Sequence, residues 1–91
     1  MKLEVKVLNI GEECQGVSTT TGKAWRRRNI LLGFEDETGE CYLLAQVDGG
    51  LWEKLNIRQG DIVSLNLRFR TNRYRSGFIA NDVRIVPSEN I

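Results

Sequence analysis

Along most of this chain apolar residues recur at every second position, and that period of two constrains the fold more than any other feature. Leu3, Val5 and Val7 alternate with Lys2, Glu4 and Lys6. Over residues 24–35, Ile30, Leu32 and Phe34 fall on one face, with Trp25, Arg27, Asn29, Leu31 and Gly33 on the other. Further on, Val63, Leu65, Leu67 and Phe69 alternate with Ser64, Asn66, Arg68 and Arg70. Successive side chains of a strand point to opposite faces, so each segment must lay its apolar face on a core and leave the other in water. Only Leu51 and Leu55 show helical spacing. The expected class is all-β, with five strands and one short helix between the third and fourth.

The breaks refine that order. The first strand is expected to run through Ile10 and past Gly11 and Gly16 toward Ser18, bent or bulged at its glycines. Residues 19–23 then form a polar loop. Asp36-Glu37-Thr38-Gly39 suits a four-residue hairpin turn. That turn sets Phe34 near Cys41, Leu32 near Leu43 and Ile30 near Ala45, with Gly33 opposite Tyr42, Leu31 opposite Leu44 and Asn29 opposite Gln46. Asp48-Gly49-Gly50 ends the third strand, and Trp52 on the helix plugs the core. The last strand covers residues 78–86 with Ile79, Val83 and Ile85 inward. Asn81 shares their parity, which calls for a bulge, a polar rim position or a shifted register. Pro87 closes a single domain over residues 1–87, and 88–91 form a short tail.

Composition removes several functions. The chain of 91 residues has no histidine, and its two cysteines, Cys14 and Cys41, form no C-x-x-C pair. Zinc sites and Ser-His or Cys-His pairs are therefore not expected, and no carboxylates are spaced as an acid–base or metal-ligand set. The expectation is a non-catalytic protein without cofactor or metal, its cysteines reduced and partly buried. Apolar runs are too short to cross a bilayer and the N-terminus has no signal-peptide pattern, so the expected setting is the cytoplasm.

Charge is more informative in its placement than in its sum of +1. Seven of the nine arginines lie in two stretches, Lys23-Ala24-Trp25-Arg26-Arg27-Arg28 and Arg68-Phe69-Arg70-Thr71-Asn72-Arg73-Tyr74-Arg75. Acidic residues collect elsewhere, at Glu12-Glu13, Glu35-Asp36-Glu37 and Glu40. Segregated charge gives a basic face to a nearly neutral molecule. Arginine beside flat aromatic surface holds the phosphates and unstacked bases of single-stranded nucleic acid. Strand parity leaves only Arg27 on the face of Trp25 and turns Arg26 and Arg28 toward the rim.

Five strands with a helix before the fourth match the layout of an OB-fold barrel. The segments Gly22-Lys23-Ala24-Trp25, Val47-Asp48-Gly49-Gly50-Leu51-Trp52-Glu53 and Leu55-x-x-x-x-Gly60-Asp61-Ile62-Val63 resemble parts of bacterial single-stranded-DNA-binding proteins. They are similar also to the small primosomal and uncharacterised OB-fold proteins of bacteria and phages. The resemblance implies binding by the face of strands two and three and by the loops between strands one and two and strands four and five. Carried onto this chain, it points to Trp25, Arg27, Asn29, Tyr42, Gln46, Arg68, Arg70, Arg73, Tyr74 and Arg75. The implied ligand is single-stranded DNA, with RNA left open. The chain stops at Ile91 without the long acidic-tipped tail of replicative members, which points to an accessory role in replication, recombination or repair.

Plainer roles stand beside these. The arginines of the second stretch could protect a sheet edge, and Tyr42 could cover Gly33, an aromatic-over-glycine pairing that stabilises sheets. The alternative function is a protein-interaction or assembly module, with Leu31, Leu44 and Tyr42 as its contact patch. OB-folds of this size commonly pair, so a homo-oligomer is expected, a dimer before others.

Overall fold

The structure is a computed structural model and describes residues 1–87. Its elements are β1 (Lys2–Ile10), β2 (Cys14–Val17), β3 (Ala24–Asp36), β4 (Gly39–Asp48), α1 (Gly49–Leu55), β5 (Ile62–Arg73) and β6 (Ile79–Val86). The sheet order is β1-β5-β6-β4-β3-β2, and β1 also pairs with β3. The pairings therefore close into a ring of β1, β5, β6, β4 and β3, with β2 as an added strand on β3. Antiparallel pairs make up the ring except at β4–β6, which are parallel and joined only at Gln46 and Arg84. Closure by that pair, with a helix leading into β5, is consistent with the expected OB-fold layout.

Six strands are present where five were expected, because the first long strand is interrupted after Ile10. At Gly11 a Cβ would lie 2.6 Å from the Asn29 carbonyl oxygen, and that oxygen accepts a hydrogen bond from the Gly11 amide at 2.8 Å. β2 resumes along the same edge of β3 in the same direction, one residue out of step with β1, so the expected bulge lies at Gly11. β1 also slips by one residue between Val7 and Asn9. The bulged Leu8 lies over Gly33, its Cδ1 2.9 Å from where a Cβ would stand.

The β3–β4 register is the expected one, from Asn29 opposite Gln46 to Phe34 opposite Cys41. The turn is shorter than expected, since Asp36 and Gly39 already pair and leave Glu37 and Thr38 as its tip. Asp36 Oδ1 accepts from the Thr38 amide at 2.7 Å and its hydroxyl at 2.6 Å, while Gly39 takes φ 119°, a conformation glycine adopts at low cost. Asp48 caps α1 by accepting from the Gly50 amide at 3.1 Å. Asn56 ends the helix in the left-handed conformation.

Val5, Val7, Ile30, Leu32, Ala45, Val47, Leu65, Leu67 and Ile85 are buried and form the core. Trp52 is half-buried against it, beside Leu51 and Leu55, as its reading as a plug required. Phe69 and Ile79 correct the sequence reading: they are 49% and 59% exposed. β5 and β6 pair as far as Arg73 and Ile79, so their hairpin outruns the barrel and becomes an arm. Asn81 lies on this arm, where its Oδ1 accepts from Thr71 Oγ1 at 3.0 Å, so its odd parity marks a polar rim position. The arm also explains a radius of gyration of 14.4 Å, against about 12 Å for a compact chain of this length. Both cysteines are free; Cys14 is exposed, contrary to expectation, and Cys41 is half-buried. The tail at 88–91 lies outside the described residues.

Candidate nucleic-acid interface

Strand parity and register build one polar row across the outside of the barrel. Asn29 of β3 pairs with Gln46 of β4, Gln46 with Arg84 of β6, and Arg84 with Arg68 of β5. Their chain neighbours Ile30, Ala45, Ile85 and Leu67 are buried, so these four side chains face outward. Four strands at the usual spacing make this row about 14 Å wide. Gln46, Arg68 and Arg84 of this row line a cleft of about 420 Å³ together with Trp25, Arg26 and Arg27. The two arginine-aromatic stretches thus meet at one surface through Trp25 and Arg27 on one side and Arg68 on the other.

Trp25 is fixed at the edge of the cleft by its neighbour across the sheet. Gly16 of β2 pairs with Trp25, and a Cβ on Gly16 would lie 2.6 Å from the indole Cζ2. The absent side chain is the space the ring occupies. Arg27 stacks on the same ring, its guanidinium carbon 4.2 Å from the centroid. Arg26 and Arg28 make other contacts, although Arg26 also lines the cleft. Arg26 Nη1 meets Glu13 Oε1 at 3.4 Å and Glu53 Oε1 at 3.2 Å. Arg28 donates to the Gly11 carbonyl at 3.0 Å and lies 4.9 Å from the Trp52 centroid.

Acidic groups temper the cleft without cancelling it. Asp82 Oδ2 accepts from Arg84 Nε at 3.1 Å, and Asp48, opposite Arg27, is occupied as the helix cap. Gln46 Oε1 is buried and has no hydrogen-bond partner, in the middle of the row.

The remaining residues of the second stretch spread along the arm. Arg70 pairs with Asp82 and shares the outer face of Arg68, while Arg73 pairs with Ile79 on the opposite face. At the tip Tyr74 donates its amide to Phe78 O at 2.8 Å, and the two rings lie 5.8 Å apart. Tyr74, Arg75 and Phe78 are exposed. Tyr42 stands exposed on the outer face of β4, below Leu44, and the carboxylate of Glu40 beside it pushes its phenol up. Arg84 and Phe78 were missed in the sequence because they fall outside the arginine clusters. Outward parity on the last strand, with the hairpin turn centred on Ser76, places Arg84 opposite Arg68.

The Gly60-Asp61-Ile62-Val63 motif has a structural task. Gly60 donates to Val7 O at 2.7 Å, Asp61 O accepts from the Val7 amide at 2.8 Å, and Asp61 Oδ2 accepts from the Arg58 amide at 2.8 Å. It fastens the start of β5 to β1. Among the described residues no group of three His, Cys, Asp or Glu side chains could hold a metal ion, and no helix is long and apolar enough to cross a membrane.

No family model and no curated protein matches this chain. Among solved structures, it is similar to the mitochondrial single-stranded DNA binding protein of S. cerevisiae, with a TM-score of 0.53 and 11% sequence identity. The match covers 98% of this chain and 88% of that one. At that identity the likeness is one of fold, and it extends over the whole barrel.

Proposed function

We propose that this protein binds single-stranded nucleic acid, DNA in the first place, along the outer face of its barrel and without catalysis. The observation that carries the reading is the row Asn29, Gln46, Arg84 and Arg68, flanked by Trp25 with Arg27 and continued toward Tyr74 and Phe78. Arginines from β3, β5 and β6 match a phosphate backbone laid over the sheet, and aromatics at both ends, Trp25 half-buried and Tyr74 and Phe78 exposed, offer stacking surfaces to unpaired bases. Arg27 occupies the Trp25 ring until a base takes its place there and the guanidinium turns to a phosphate. Asn29, Tyr42 and Gln46 supply hydrogen bonds from the sheet, and Arg70, Arg73 and Arg75 extend positive charge along the arm. The fold shared with a protein named for single-stranded DNA binding supports the same reading, as do the segments that resemble bacterial single-stranded-DNA-binding proteins. The role that fits is an accessory one in DNA replication, recombination or repair.

The test is a competition titration of single-stranded DNA, single-stranded RNA and duplex DNA at two salt concentrations, with Trp25→Ala and Arg84→Ala alongside. The reading expects single strands to win over duplex and both variants to bind more weakly. Duplex preference, or undiminished binding by both variants, contradicts it. A second reading, a protein-assembly module, draws on Leu44 and Tyr42, which are about 60% exposed on the same face. It expects a Leu44→Asp change to abolish association and leave nucleic-acid affinity untouched.

A further inference from the structure

The two long hairpins leave the barrel at the same end. β4 and β6 run parallel and meet only at Gln46 and Arg84, so the turns near Thr38 and Ser76 each lie eight residues away in the same direction. Between the hairpins is a cleft of about 460 Å³ lined by Leu43, Phe69 and Val83 and bordered by Arg70, Thr71, Asn81 and Asp82. The register continues this inner face of the arm to Ile79, beside Arg73. Phe69 and Ile79 are large, apolar and 49% and 59% exposed. The two hairpins carry opposite charge beyond the cleft, with Asp36 and Glu37 exposed at the β3–β4 tip and Arg73 and Arg75 exposed on the arm.

An apolar centre between one acidic and one basic hairpin is self-complementary. Rotation by a two-fold axis through its middle sets each acidic tip on the other's basic arm and apolar surface on apolar surface. That is the condition an isologous dimer must meet. The same surface offered to an unrelated partner would need matching charge of both signs.

We propose that two copies of this chain pair through the open end between the β3–β4 and β5–β6 hairpins, burying Phe69 and Ile79 and joining Glu37 of each copy to Arg73 of the other. Phe69 and Ile79 alternate with Arg68 and Arg84 and so lie on the opposite face of the arm, which leaves those two arginines outside the contact. Arg73 serves both readings, so the two are told apart at Phe69 and Ile79, which the nucleic-acid reading does not use.

Sedimentation equilibrium of the full chain tests it. Wild type is expected to give twice its 10.4 kDa mass in the micromolar range. Ile79→Asp, and independently Phe69→Ser, should shift it to monomer while circular dichroism shows an intact sheet and oligonucleotide affinity per chain stays unchanged. Arg73→Glu and Glu37→Lys should each weaken pairing by roughly ten-fold or more. Mixed together, these two variants should dimerise again, because both charged contacts of the mixed pair have opposite signs. A wild type that stays monomeric, a dimer that survives both apolar changes, or a mixture that does not recover would each overturn the proposal.

Discussion

At Gly16 a single missing methyl group sets the position of Trp25, since any Cβ there would lie 2.6 Å from the indole. Gly16→Ala must push the ring away, and overpacking of this kind costs about 1–3 kcal/mol. A fall in the thermal midpoint together with altered tryptophan emission is the expected result. Parity alone paired Trp25 with Arg27, but the use of Gly16 depends on a neighbour nine residues away, and a local pattern suggests only a bend. A second local device sits at Asp36. Hydrogen bonds from Thr38, and then from the Cys41 thiol at 3.3 Å, hold its carboxyl below the usual carboxylate range. A depressed folded value stabilises the folded state above the unfolded carboxylate value of about 3.9, and that contribution is lost as pH falls through the folded value. Urea unfolding below pH 4 should therefore lose a contribution that Asp36→Asn lacks at every pH. The same hydrogen bond from Cys41 to Asp36 pushes the thiol up, so Asp36→Asn should speed alkylation of Cys41, measured by mass spectrometry.

The elements were legible where the neighbour is next in the chain and obscure where it is not. The β3–β4 register followed from one turn and one apolar face. The arm did not, because Val63, Leu65, Leu67 and Phe69 keep the same alternation whether or not a sheet lies opposite. Only the end of the barrel decides that Leu67 is buried and Phe69 exposed, and the barrel's length is a property of all its strands. The arm carries its own prediction. If Tyr74 and Phe78 stack on bases, Tyr74→Ala should weaken binding of a long oligonucleotide by about 1–3 kcal/mol per base lost. An oligonucleotide too short to reach from Trp25 to the arm should not register the change. Equal losses on both lengths would place the effect of Tyr74 in the fold.

For the molecule as a whole, the closing pair of β4 and β6 brings distant charge together. Arg84 meets Arg68 across the β5–β6 hairpin, but the pair joins Arg27 only because a parallel contact sets Arg84 beside Gln46, and no local pattern announces a parallel contact between strands about forty residues apart. The net charge of +1 hides a cleft where basic groups predominate and a hairpin tip where acidic ones do. Salt dependence reports that local charge directly, since each phosphate neutralised on a single strand contributes about 0.7 to the slope of log affinity against log salt. The most direct measurement is therefore a titration of single-stranded homopolymer followed by tryptophan emission over a series of salt concentrations. With Arg27, Arg68 and Arg84 each meeting a phosphate, wild type should show a slope near −2, and Arg84→Ala should be shallower by about 0.7. Affinity independent of salt, or a slope unchanged by removal of Arg84, would contradict the assignment of this face to nucleic acid.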